Sequence, residues 1–353
     1  VERVSLVVDS RAVSVPRGAT ILEAAGELGI EIPTLCFHRH ERPLGVCRLC
    51  VVEVKGARTL VPACARQVEE GMDVATRSER VSLSRRTTLE LLLSAMDLSR
   101  APELLRYAKE YGADAERFGA RERKTEELED DNSCYLRDYS RCVLCRRCTQ
   151  TCGPGVQHDY AILIAGRGFN TRVSTFGERP MPETTCVFCG NCVAVCPTGA
   201  ILDKRPFLLE HRLGEKVQEH LEVVSTTCPY CGVGCRIELH VHRGRLVKVT
   251  SPPESKVNRG FLCAKGRFGC DYVAHADRLT DPLIKENGTF RKATWDEALT
   301  LVARRLGEIR ERWGPHSIGG LASAKCTNED NYLFQKFMRA VIGTNNVDHC
   351  ARL

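Results

Sequence analysis

The sequence predicts a multidomain α+β chain, a row of small cysteine-bearing modules followed by the opening of an α/β region. Three observations predict it. The chain is 353 residues long, too long for one small module. It holds 20 cysteines, and all but Cys134, Cys270, Cys326 and Cys350 fall into four tight sets of four. Between the sets run short strand-like and helix-like stretches, each bounded by its own turn or capping signal.

Composition narrows the class. A chain 43% hydrophobic and 27% charged is ordinary for globular protein. No apolar run approaches the roughly 18 to 20 residues of a membrane helix, so no span is expected. Val1 to Ser10 reads as a strand rather than a signal peptide, and the expected location is cytoplasmic. A net charge of +6 and 6% aromatics leave nucleic acid little to stack on, so none is expected as a partner. Neither a G-x-G-x-x-G nor a Walker loop occurs, so nothing points to a nicotinamide or nucleoside triphosphate site by those signals.

In a reducing compartment, clustered cysteines point to metal or redox work rather than disulfides. Zinc is the alternative to iron–sulfur throughout, because C-x2-C pairs also build zinc ribbons.

The first set is Cys36, Cys47, Cys50 and Cys64, spaced C-x10-C-x2-C-x13-C. Val4 to Val8 and Ala12 to Val15 read as a hairpin. Thr20-x-x-Glu23 is a capping box opening a helix that Gly29 can end. Val51 to Val54 resumes a strand. Strands, one helix and a cysteine loop follow the β-grasp order of [2Fe–2S] ferredoxins. The spacing differs from the plant-type run. It resembles the N-terminal domain of the large iron–sulfur subunit of respiratory complex I and its relatives. His38 and His40 lie in this loop and are expected to face solvent, since four cysteines already suffice.

The second and third sets are one pattern written twice. Cys142-x2-Cys145-x2-Cys148-x3-Cys152 is followed by Cys186-x2-Cys189-x2-Cys192-x3-Cys196 and then Pro197. This is the run of two-cluster bacterial ferredoxins, in which the fourth cysteine of each run ligates the other cluster. Cys142, Cys145, Cys148 and Cys196 would hold one [4Fe–4S] cluster, and Cys186, Cys189, Cys192 and Cys152 the other. Arg141, Arg146 and Arg147 beside the first run would raise its potential, dock a partner, or simply form a solvated face.

The fourth set is Cys228, Cys231 and Cys235, with Cys263 after a gap of 27 residues. Ile237 to Val241 and Leu246 to Val249 alternate around Arg243-Gly244 and read as a hairpin within that gap. Spacing alone leaves zinc open here. Cys263 is followed by Ala264, Lys265 and Gly266.

C-P-Y-C-G-V-G-C followed by C-A-K-G resembles the N-terminal [4Fe–4S] domain of molybdenum or tungsten bis-pterin oxidoreductases, above all formate dehydrogenases. Ser323 to Tyr332 and Gly343 to Leu353 look like the approach to the active site in cytosolic NAD(P)-linked formate dehydrogenase catalytic subunits. That resemblance implies a [4Fe–4S] cluster on Cys228, Cys231, Cys235 and Cys263. It also implies that Lys265 stands between this cluster and a pterin as an electron relay. The metal ligand of that family, cysteine or selenocysteine, would come directly after Leu353. A selenocysteine codon there, with the given chain as its truncated reading, is the expectation; a deliberate fragment or an ordinary sequencing break is the alternative.

One departure concerns the complex I relatives, where a cluster held by one histidine and three cysteines follows a Leu-Leu-Leu-Ser stretch. Leu91 to Ser94 is present, but Met96 stands near the histidine's place, and no cysteine occurs from Ala65 to Ser133. Residues 97 to 131 read instead as helical and charge-rich.

The expected order is therefore a [2Fe–2S] β-grasp domain over 1–78 and a helical spacer over 79–133. A two-[4Fe–4S] ferredoxin domain over 134–212 follows, then a [4Fe–4S] domain over 213–280. The start of the α/β molybdopterin-binding region over 281–353 ends the chain. Within it, Trp295 to Ile309 reads as an amphipathic helix with Ala298, Val302, Leu306 and Ile309 as its core stripe. Thr327-x-x-Asp330 caps another helix running to about Ile342.

The function implied is formate oxidation, or carbon dioxide reduction, by transfer of a hydride equivalent at bis-molybdopterin guanine dinucleotide carrying Mo or W. Electrons would leave through one [2Fe–2S] and three [4Fe–4S] clusters. The implied partners are a flavin-containing NAD(P)-binding diaphorase subunit and a small [2Fe–2S] subunit, or ferredoxin or a hydrogenase. The 353 residues alone, lacking the metal ligand, are expected to be inactive on formate. The alternative is a stand-alone electron-transfer subunit of a hydrogenase or NADH dehydrogenase complex. Cys134, Cys270, Cys326 and Cys350 are expected to be buried structural thiols.

Overall fold

The computed structural model describes residues 2–119, 127–214, 217 and 220–352. The chain divides into two compact units, Val1–Gly214 and Glu215–Leu353.

Alternation builds the start of the first unit. In Arg3–Val8 (β1), Val4, Leu6 and Val8 are buried while Arg3 and Ser5 face out. Asp9 and Ser10 both take positive φ, the tight turn whose twist suits a two-residue hairpin. Arg11–Pro16 (β2) then pairs antiparallel with β1, Val15 opposite Val4. Thr20 caps Ile21–Glu27 (α1) through the reciprocal bonds the sequence predicts. Its side chain accepts from the Glu23 N–H, and the Glu23 carboxylate accepts from the Thr20 N–H. Ile21, Ala24 and Ala25 bury one face of this helix in the same core as the strands.

Val51–Val54 (β3), Val61–Pro62 (β4) and Asp73–Ala75 (β5) complete a five-stranded sheet ordered β2-β1-β5-β3-β4. β5 runs parallel to β1. A hairpin, a helix and a parallel return strand make the β-grasp arrangement.

Glu79–Ala95 (α2), capped by Ser78, and Pro102–Glu110 (α3) follow. They are packed in rather than strung out. Leu89, Leu98, Leu104 and Tyr107 share one buried cluster with Leu35, Cys36 and Leu49 of the first module and with Cys145 of the next. Residues 127–131, expected to be helical, are not. Glu129 bridges Arg137 in a non-helical pairing, because the buried Arg137 guanidinium needs Glu129 at 2.5 Å and Asp131 at 2.6 Å. Residues 120–126, part of the same helical expectation, lie outside the described residues.

Tyr135–Arg137 (β6) leads to Arg147–Gln150 (α4), the hairpin of Ile162–Ala165 (β7) and Arg172–Thr175 (β8), Asn191–Val195 (α5), Ile201–Asp203 (β9) and Lys204–Leu213 (α6). β6 and β9 pair antiparallel, so the module closes on its own ends.

In the second unit, Glu222–Thr227 (β10), Arg236–His242 (β11) and Arg245–Thr250 (β12) form an antiparallel sheet. Arg243 and Gly244 make the expected turn, both at positive φ. Ala264–Phe268 (α7), a hairpin of Leu283–Glu286 (β13) and Thr289–Lys292 (β14), and Trp295–Trp313 (α8) follow. Gly320–Ala322 (β15), Asn328–Lys336 (α9) and Val347–His349 (β16) then form a unit in which the two strands run parallel. Thr327 and Asp330 make the predicted capping box of α9. A Cβ on Gly320 would stand 2.8 Å from Phe334 Cζ, so α9 lies directly against bare backbone there.

The stripe on α8 is core only in its second half. Leu306 and Ile309 pack against Ile318, Met338 and Ile342, but Val302 is 52% exposed. Those covering residues reach only the C-terminal turns of the helix. Among the described residues, no helix is long and apolar enough to cross a membrane.

Candidate metal centres

The first set gathers where the β-grasp sheet meets α2. Cys36, Cys50 and Cys64 are buried, with Cys47 half-buried. The Cys50 and Cys64 sulfurs are 3.3 Å apart. Thiol hydrogen bonds from Cys47 and Cys64 hold Cys36 low, and one from Cys64 holds Cys50 low. Cys47 and Cys64 are pushed up by the same thiol contacts, with burial adding to both. The four thiols thus lie close enough to perturb one another, a set of soft sulfur donors suited to a shared metal centre. Left-handed backbone at Arg48 (φ 60°) makes the tight C-x2-C turn possible.

The repeat of the second and third sets extends to the backbone. Leu144 and Phe188, before the second cysteine of each run, have φ of 53° and 51°. Arg146 and Gly190, directly after it, have φ of 66° and 70° and open α4 and α5. Three of those four residues carry a Cβ, so the loops hold a strained conformation that turns peptide N–H groups toward sulfur. The Phe188 N–H donates to Cys186 Sγ at 3.4 Å.

Cys142, Cys145, Cys148 and Cys196 line one cavity, together with Tyr139 and Ile201. Burial pushes the Cys145 thiol up to about 12, with Cys196 and Cys142 adding to it. Burial also drives Cys148 well up, with Cys145, Cys142 and Cys196 next in effect. Cys192 is raised by burial and then by Cys189, Cys186 and Cys152. Cys196 thus stands with Cys142, Cys145 and Cys148, and Cys152 lies near Cys186 and Cys192. Removing several thiol protons in so dry a place demands compensating positive charge, which an iron–sulfur core supplies.

In the second unit, burial raises Cys228 and Cys235, and each also feels Cys231 and Cys263. Cys263 caps α7, and Gly266 on that helix lets Cys228 Sγ come within 3.6 Å of where its Cβ would be. Lys265, on the same helix, is exposed and makes no ion pair among the described residues.

Other expectations need correction. His38 is turned inward, its side chain 17% exposed, because it packs against the buried Glu41 at 4.0 Å. Burial and the nearby Arg147 hold its pKa down at about 4. Arg141 is no free cation, being paired with Asp97 and Asp138 at 2.6 Å each. Cys134, Cys270 and Cys326 are half-buried, and Cys350 is exposed beside Ser323 at 3.5 Å. Among the described residues no group of three or more His, Cys, Asp or Glu side chains is arranged to hold a single metal ion.

Known proteins share these features. Residues 1–79 match the 2Fe-2S iron–sulfur cluster binding domain and 182–202 the 4Fe-4S binding domain. Residues 221–275 match the molybdopterin oxidoreductase Fe4S4 domain, and 278–353 match molybdopterin oxidoreductase itself. Two of these four matches are thus to domains of molybdopterin oxidoreductases. The chain is 38% identical over 99% of its length to the NADPH–Fe(3+) oxidoreductase alpha subunit of Geobacter sulfurreducens. It is 35% identical, again over 99% of its length, to an NADH-quinone oxidoreductase subunit of Rhizobium meliloti. A Staphylococcus aureus protein with a provisional formate dehydrogenase name is 28% identical over 99% of the chain and 39% of its own length. The chain spans about 40% of the length of the first two relatives. Among solved structures, a chain of an NAD+-reducing [NiFe]-hydrogenase matches 57% of this chain and 87% of its own, with a TM-score of 0.51 and 28% identity.

Proposed function

We propose that this chain is the iron–sulfur electron relay of a molybdopterin-family oxidoreductase. It would carry electrons one at a time between a pterin-linked site and an NAD(P)-linked partner. In this reading Cys36, Cys47, Cys50 and Cys64 hold a [2Fe–2S] cluster. Cys142, Cys145, Cys148 and Cys196 hold a [4Fe–4S] cluster, as do Cys186, Cys189, Cys192 and Cys152, and Cys228, Cys231, Cys235 and Cys263. The observation that carries it is the shared cavity of Cys196 with Cys142, Cys145 and Cys148, the crossed pattern that two-cluster ferredoxins require.

The clusters supply one-electron storage; the protein supplies burial, spacing and hydrogen bonds to sulfur. Burial of Cys145 disfavours added negative charge, while the Arg147 N–H offsets it there, and the Phe188 N–H donates to Cys186 of the other set. Lys265, on the helix that Cys263 caps, is the residue proposed to relay electrons toward a pterin.

Formate as the substrate is the finer reading, supported by the C-A-K-G and Ala-Arg-Leu motifs and by the formate dehydrogenase name of one relative. Relatives of higher identity carry NADPH–Fe(3+) oxidoreductase and NADH-quinone oxidoreductase names. The hydrogenase likeness favours a relay without its own substrate chemistry as the second reading.

The test is anaerobic purification of the chain and titration with dithionite, dyes and formate. Dye or ferredoxin reduction by reduced chain, with no turnover of formate, is expected. A colourless, zinc-only protein would contradict the relay.

A further inference from the structure

Between the first and second cysteine sets lies a buried carboxylate that no cluster ligand role uses. Glu41 sits in the ten-residue loop between Cys36 and Cys47, yet its side chain is only 2% exposed. Burying a carboxylate costs several kcal/mol unless it is bonded or paired. Besides His38 of its own loop, at 4.0 Å, its partners come from the segment that carries the second set. Thr151, itself fully buried, donates its hydroxyl to Glu41 Oε1. Arg147, next to Cys148, adds a favourable charge that works against the burial raising the Glu41 pKa. A Cβ on Gly155 would stand 3.0 Å from Glu41 Oε2, so the carboxylate is seated against bare backbone. Thr151 to Gly155 form a wide turn kinked at Gly153, and that turn carries Cys152. On its own side Glu41 is held by its N–H, which donates to the His38 carbonyl at 3.0 Å.

A second observation places the two sets side by side. Cys36 and Cys145 belong to the same buried apolar cluster. Two loops that carry redox ligands are thus joined by apolar packing and by a buried, hydrogen-bonded carboxylate.

We propose that Glu41 is a positioning residue that pins the [2Fe–2S] loop to the Thr151–Gly155 turn and so sets the electron-transfer distance between the [2Fe–2S] cluster and its [4Fe–4S] neighbour. The proposal rests on the cluster assignment above. The step it governs moves one electron from the reduced cluster to the oxidised one, with no bond made or broken. The hydrogen bond, rather than the charge, is the part that positions. A glutamine, which still accepts from Thr151, therefore keeps the function, while alanine loses it.

The experiment uses the full chain, purified anaerobically, as wild type, Glu41→Gln, Glu41→Ala and Thr151→Val. Iron content and the EPR signals of each cluster are recorded first. Flash photoreduction then reads the rate at which electrons redistribute between the [2Fe–2S] and [4Fe–4S] signals. Glu41→Ala and Thr151→Val are expected to slow redistribution by about tenfold with all signals present, and Glu41→Gln to stay within about twofold of wild type. An unchanged rate in Thr151→Val, or a Glu41→Gln rate as slow as alanine's, overturns the pin. If Glu41→Ala loses a cluster, Thr151→Val decides alone. Absence of a [2Fe–2S] signal in the wild type would instead refute the cluster assignment, a separate failure read in the first step.

Discussion

Arg85 Nη2 donates to the carbonyl oxygen of Val51 at 2.8 Å, from a position only 1% exposed. The same guanidinium reaches the Tyr111 hydroxyl at 2.7 Å. A charged side chain therefore ties α2 to β3 of the β-grasp sheet and to the end of α3. Arg85→Leu would strand the Val51 carbonyl and the Tyr111 hydroxyl in a dry core and cost about 2 to 4 kcal/mol. The midpoint of denaturant unfolding, followed anaerobically, measures it. A loss below about 1 kcal/mol would show the bond to be dispensable.

The crossed ligand pattern has a direct genetic test. Cys196→Ser is expected to damage the cluster of Cys142, Cys145 and Cys148 and to leave that of Cys186, Cys189 and Cys192 intact. Mössbauer or EPR spectra of the variant separate the two, since Cys152→Ser should show the converse loss. Damage to the cluster in its own run by each variant would refute the crossing.

Tyr135, 1% exposed, has its hydroxyl 3.4 Å from Cys186 Sγ. Hydrogen bonds to sulfur stabilise the reduced, more negative state of a cluster. Tyr135→Phe should lower the potential of the Cys186 cluster by on the order of tens of millivolts. A redox titration monitored by EPR reads this shift, and an unchanged potential would remove Tyr135 from the account.

His240 in β11 gives a pH dependence to the second unit. Burial, with Lys248 adding, lowers its pKa from the usual value, although Glu238 opposes the shift. Its Nε2 lies 2.7 Å from Thr250 Oγ1, whose own proton goes to Glu238. Because the folded pKa is depressed, the unfolded chain binds the proton more readily. Stability is then intact above the unfolded histidine value near 6.5 and falls as pH drops toward the folded one. His240→Gln should flatten that part of the stability profile, and an unchanged slope would show that another group is responsible.

Much of this molecule was legible in the chain itself. The hairpin of Val4 to Val8 with Ala12 to Val15 was readable from the chain, and the helices after Thr20 and Thr327 follow from their capping boxes. The repeated cysteine run pointed to Cys196 beside Cys142, Cys145 and Cys148, which line one cavity. Where the reading failed, tertiary packing decided. β5 is three residues long and β10 is exposed along its whole length, so neither shows a periodic signal. Arg85 lies in a helix crowded with polar residues, and nothing local marks it as the one turned inward. His38 and Glu41 sit in a loop that reads as polar, and only contact with Arg147, Thr151 and Gly155 reveals their burial. The charge-rich segment near Glu129 looked helical until Arg137 needed its carboxylates.

The most direct test of the central claim is an iron and acid-labile sulfide count on the anaerobically prepared chain, with Mössbauer spectra to sort cluster types. One binuclear and three cubane clusters predict about 14 iron atoms per chain. About 18, or a preparation holding zinc in place of iron, would contradict the account.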